Sequence, residues 1–146
     1  VKAFLAGLIV LGAAGPAAAA LECRYYDEMV LDAVMVMQVA VASVVPPAGG
    51  GQGDCVLTGE IVRNFKGPHP VGTRIQTTVF CEAPVADGVE PDVMVGATIW
   101  WRYAALAEAA VVELHIGPGG GPAGYGAGVV LLEAPTEAPA WVSACG

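Results

Sequence analysis

An all-β domain carrying one short helix is the fold this sequence predicts, and three stretches carry the prediction. Residues 55 to 81, CVLTGEIVRNFKGPHPVGTRIQTTVFC, read as a long hairpin with a cysteine at each end. Folding about Pro68 pairs residues whose numbers sum to 136, so Cys55 meets Cys81, Leu57 meets Val79 and Ile61 meets Ile75 on one mostly apolar face. A one-residue slip would turn that set outward. Residues 111 to 116, VVELHI, alternate with period two. Residues 33 to 45, AVMVMQVAVASVV, are rich in valine, and Pro46 and Pro47 end the run.

In chain order, residues 1 to 20 place Lys2 ahead of an apolar run with a small-residue end, the layout of a secretory signal peptide. Val1 fits a bacterial reading frame that starts on a valine codon, which would make this the whole precursor. Glu22 precedes Cys23, where a lipoprotein signal needs a small residue, so lipidation of Cys23 is not expected. Residues 21 to 32 are polar with room for a helical turn. The run 33 to 45 has 13 residues and holds Gln38, short of the roughly 20 that a membrane helix needs. Apolar residues on both alternating faces place it centrally in a curled sheet, with a buried helix as the rival reading.

Residues 46 to 54, PPAGGGQGD, connect it flexibly to the hairpin, whose tip KGPHPVG is built of turn residues. Residues 83 to 96 form a polar loop with Asp87, Glu90 and Asp92. Residues 100 to 110, WWRYAALAEAA, read as a short helix capped near Thr98. In the strand that follows, Val112, Leu114 and Ile116 share the core face, and Val111, Glu113 and His115 face outward. A glycine-rich loop, 117 to 128, leads to a last strand over 129 to 133 and a proline-bearing tail ending at Cys145. The order β-β-β-helix-β-β is that of an OB-like five-stranded Greek-key barrel; a sandwich would show about seven strands.

Length and charge set the functional bounds. The mature chain of about 126 residues, 21 to 146, fits one domain. Losing Lys2 with the leader takes the formal net charge from −8 to −9, a surface that repels phosphate backbones, so nucleic acid is not an expected partner. Cys23, Cys55, Cys81 and Cys145 in an exported chain imply two disulfides and three connectivities. The hairpin register favours Cys55 with Cys81, leaving Cys23 with Cys145. No CxxC spacing points to zinc or thiol chemistry, and no cofactor or metal is expected.

The apolar first strand followed by GEIVRNFKGP and VGTRIQTTVFC resembles the netrin-like module of tissue inhibitors of metalloproteinases, over roughly residues 33 to 81. There a strand ending in a similar FKG stretch precedes a strand leading to a cysteine. The resemblance implies an OB-type fold, and it would pair Cys23 with Cys81. In those inhibitors the mature amino-terminal cysteine binds the target's zinc. Here Cys23 follows Leu21 and Glu22 and lacks a free α-amino group, so the resemblance implies the fold and not the inhibitory mechanism.

Four features bear on function. Arg63, Lys66, His69 and Arg74 gather at the hairpin tip, an anion or acidic-partner patch or, on the plainer reading preferred here, a solvated turn. The loops 46 to 54 and 117 to 128 sit where OB-folds bind ligands, with Tyr125 as the contact residue; flexible linkage is the plainer reading. Trp100 and Trp101, about 100° apart on a helix, send one ring to the core and one toward the surface. Glu113 and His115 are spaced for a hydrogen-bonded pair or two metal ligands, against the favoured reading of a solvated strand face. Together these predict a secreted or periplasmic, monomeric, non-catalytic module binding a protein or small ligand through loops and hairpin tip, possible inhibitors of extracytoplasmic enzymes included. The rival classes are a small secreted hydrolase using Glu113 and His115, and a structural envelope component.

Overall fold

The structure is a computed structural model that describes residues 22 to 91, 94, 96 to 143 and 145. The signal-peptide expectation for residues 1 to 20, and Asp92 of the polar loop, lie outside the described residues. The elements are α1 (Cys23–Leu31), β1 (Met35–Val45), β2 (Gly51–Lys66), β3 (Arg74–Ala83), β4 (Trp101–Arg102), α2 (Tyr103–Glu108), β5 (Val111–Ile116) and β6 (Val129–Leu132), with a 3-10 turn at Gly124–Gly126. The chain is mostly strands. They form one six-stranded sheet in the order β4-β3-β2-β1-β5-β6, curled into a half-barrel. Among the described residues no helix is long and apolar enough to cross a membrane.

β1 is central, paired antiparallel with β2 on one side and β5 on the other, which accounts for a run apolar on both faces. Three irregularities in its pairing with β2 bend the sheet. The two strands approach so closely at Gly59 that a Cβ there would lie 2.3 Å from the Ala40 carbonyl oxygen. The concave face holds the main core, including Met37, Val39, Leu57, Ile61, Val79, Val112 and Leu114, together with the buried Cys55–Cys81 bridge. α2 closes that face by inserting Leu106, which is fully buried. Leu106→Ala is expected to destabilise by about 3 kcal/mol in urea unfolding, because the gap is walled by strands that cannot collapse into it.

The hairpin register differs from expectation by two. Paired residue numbers sum to 134, with Cys55 opposite Val79 and Gly53 opposite Cys81. The connection is centred on Gly67, whose φ of 117° suits glycine, and not on Pro68. A shift of two keeps every side chain on its face, so the apolar pattern is obeyed in either register. The cysteines bridge diagonally with Cα atoms 5.7 Å apart, and the second disulfide joins Cys23 to Cys145. The strand also starts earlier, at Gly51, which shortens the preceding connection to residues 46 to 50.

The helix expected over residues 100 to 110 is shorter and later. Trp101 and Arg102 are extended, pairing parallel with Cys81 and Glu82 of β3, and the Ile99 amide donates to the Tyr125 carbonyl at 2.8 Å. Backbone partners outside the segment outweigh its alanine-rich propensity, so helix begins only at Tyr103 and Thr98 caps nothing. Residues 21 to 32, read as polar with a helical turn, contain a nine-residue helix. β5 has the bounds expected of it, but all six of its residues are buried, so the solvated outer face assigned to Val111, Glu113 and His115 is overturned. The tail lies across that face.

Candidate functional site

Gln38 and Glu113 face each other across the β1–β5 ladder, two polar side chains on the convex side of an apolar sheet. Both are 0% exposed. Glu113 Oε2 accepts from Gln38 Nε2 at 2.8 Å and from the Ala140 amide at 2.7 Å. Its Oε1 accepts from His115 Nε2 at 2.8 Å and from the Trp141 amide at 2.9 Å. Gln38 also donates to Thr136 Oγ1 and accepts from the Thr136 amide, so its own amide is fully used. Burial opposes ionisation of Glu113, but the donors from His115, Ala140, Gln38 and Trp141 outweigh it and hold the carboxyl at about 2. An ionised carboxylate only accepts, so His115 presents Nε2–H to it.

The cluster is a clasp for the tail. Trp141 adds a hydrogen bond from Nε1 to the Ala127 carbonyl at 3.1 Å and packs its ring beside His115, centroids 5.9 Å apart. Ser143 bonds Asp27 of α1, and the Cys23–Cys145 bridge ties the same two segments. Four donors on one carboxylate leave it no free lone pair for proton transfer or metal ligation. Among the described residues, neither Glu113 nor His115 lines the two clefts that Phe80 borders, and no group of three or more metal-ligating side chains occurs.

A cleft open to solvent lies at the glycine-rich loop. Residues 117 to 128 were expected to be a flexible link; instead they are fastened on three sides. The Ala123 amide donates to the His115 carbonyl, Trp101 Nε1 donates to the Gly126 carbonyl at 3.1 Å, and Gly124 packs against the Tyr26 carbonyl and Val30 of α1. The turn runs through three left-handed residues, Gly124 (φ 62°), Tyr125 (φ 50°) and Gly126 (φ 101°). That conformation costs a tyrosine roughly 1–2 kcal/mol. Tyr125 is 47% exposed and lines a cleft of about 600 Å³ with Met29, Asp32, Phe80, Pro118 and Pro122. Phe80 also lines a second cleft of about 390 Å³ with Asp54, Met94, Thr98 and Trp100. Phe80 and Trp100 meet edge to face with centroids 5.8 Å apart. Phe80 thus borders both an aromatic groove at Tyr125 and a second cleft at Trp100.

Of the residues singled out in the sequence, Tyr125 lines the larger of these clefts and Trp100 the smaller. Trp101 packs on the main core from β4 and Trp100 precedes that strand, so neither tryptophan is on a helix. At the basic tip the side chains of Lys66 and Arg63 are engaged locally. Lys66 Nζ reaches the Ala33 carbonyl at 2.6 Å, Arg63 bonds the Val62 carbonyl and lies 3.8 Å from Glu137, and Arg74 sits opposite Glu60. His69 is exposed on the turn, where its carbonyl accepts from Asn64. Phe80, Met29 and Asp32 carry no local signal, because two separate segments, α1 and β3, bring them to one cleft. Gln38 and Thr136 also escaped the sequence reading, although a lone glutamine inside an apolar strand is itself a signal of a buried polar partner.

No family model, no curated protein and no solved structure matches this chain.

Proposed function

We propose that this chain is a non-catalytic, extracytoplasmic binding module that holds a small ligand in the groove between α1, Phe80 and the glycine-rich loop. The observation that carries this reading is Tyr125, kept in a left-handed conformation by packing on both sides while its residue lines an open cleft. Two disulfides support an oxidising compartment. The half-barrel reads as OB-like, and the netrin-like resemblance over β1 to β3 belongs to the same proposal. In such a barrel the loop joining the last two strands is a ligand loop, and the β5–β6 loop takes that place here. The groove's volume of about 600 Å³ suits a small molecule.

An NMR titration with 2-phenylethanol, a neutral aromatic probe, tests the site. Saturable shifts are expected at Met29, Phe80 and residues 117 to 125. Tyr125→Gly is expected to weaken binding at least fivefold. Its stability should stay within about 1 kcal/mol of the parent, since release of left-handed strain and the chain entropy of glycine oppose each other. Shifts scattered over the surface, or unchanged affinity in the variant, would remove the groove from consideration.

A further inference from the structure

The groove is charged as well as aromatic. Asp32, the C-cap residue of α1, lines it, and Asp54 lines the second cleft that Phe80 also borders. No lysine, arginine or histidine among the described residues lines either cleft. Among the described residues, neither carboxylate has a cation within ion-pair distance. Lys66 donates to the carbonyl of the neighbouring Ala33 and keeps its charge, but it forms no ion pair with Asp32. A net charge of −8 across the chain adds a field of the same sign.

Resting on the groove reading above, we propose that the ligand is a small organic cation, an ammonium or quaternary ammonium group on a flat or short alkyl body. The cationic group sits beside Asp32, and the body lies against Phe80, Tyr125, Pro118 and Pro122. Aromatic faces next to a carboxylate attract such a ligand twice, through the ring quadrupole and through charge. An anionic ligand of the same shape meets only repulsion. Asp32 and Asp54 are both exposed, so the charge preference is a matter of a few-fold in affinity and falls as salt screens it.

Three probes that share one skeleton separate charge from shape: phenethylamine, 2-phenylethanol and 3-phenylpropionate at pH 7, by NMR titration at low salt. The amine is expected to bind about three- to fivefold more tightly than the alcohol, and the acid more weakly than either. In 0.5 M salt the spread should shrink. Asp32→Asn, whose only capping contacts in the parent come from its backbone amide, should remove most of the preference of amine over alcohol. Equal affinities in the parent, tightest binding by the acid, or a preference that Asp32→Asn leaves mostly intact would each overturn the cation proposal and leave the groove standing. Saturable binding by none of the three would overturn the groove and the cation proposal together.

Discussion

Glu113→Ala is expected to destabilise the protein by about 3 to 5 kcal/mol in urea unfolding at pH 7, a large share of a small domain's total. The substitution strands His115, Gln38 and the amides of Ala140 and Trp141, four donors that converge on one buried carboxylate. Glu113→Gln keeps the volume but turns one acceptor into a donor facing donors, and should fall between. The pH dependence provides a second measurement. A carboxyl held at about 2 when folded, against an ordinary 4.5 when unfolded, is protonated first in the unfolded chain as pH falls. Its contribution, about 3 kcal/mol, is complete above pH 4.5 and lost between 4.5 and about 2. Glu113→Ala should lack that slope. Parallel stability curves for parent and variant would show that the clasp does not work through an ionised carboxylate.

The second large effect is expected from the Cys23→Ser/Cys145→Ser double variant. The bridge spans 122 residues, and in the chain-entropy treatment a loop of that size constrains the unfolded chain by about 5 kcal/mol. The same treatment gives about 3.5 kcal/mol for the 26-residue separation of Cys55 and Cys81. Hydrogen exchange should show where the loss falls. Amides of α1 and of residues 136 to 143 are expected to lose protection while the β2–β3 ladder keeps it. Retained protection of the Ala140 and Trp141 amides would mean that the Glu113 clasp holds the tail without the bridge.

How much of this was legible residue by residue follows from what each signal can carry. The bounds of β5 could be read because VVELHI alternates, and the centrality of β1 because its apolar run has no polar face. The hairpin pattern chose faces correctly and missed the register by two, since a period-two pattern is blind to a shift of two. The outward assignment of Glu113 and His115 failed for a different reason. Their cover comes from residues 136 to 141, and sequence periodicity reports nothing about a distant segment lying on a strand. Gln38 offered the one local warning, because it stands opposite Glu113 once β1 and β5 pair. At the groove, Tyr125 was legible as the aromatic of a glycine-rich loop, but its left-handed backbone was not, nor was its meeting with Phe80 and Asp32, which depends on where α1 and β3 pass.

The span of the Cys23–Cys145 bridge also sets an order of events during oxidation. In the unfolded chain, closing 122 residues is disfavoured relative to closing 26 by about 1.4 kcal/mol, or tenfold in effective concentration. Cys23 and Cys55 lie about 32 residues apart, so their non-native pairing is nearly as accessible as the native hairpin bridge. Cys23 must therefore stay reduced, or be reshuffled, until the tail has docked. Refolding from the reduced state should accumulate a species holding Cys55–Cys81 alone, and a disulfide isomerase should accelerate recovery of the second bridge far more than the first.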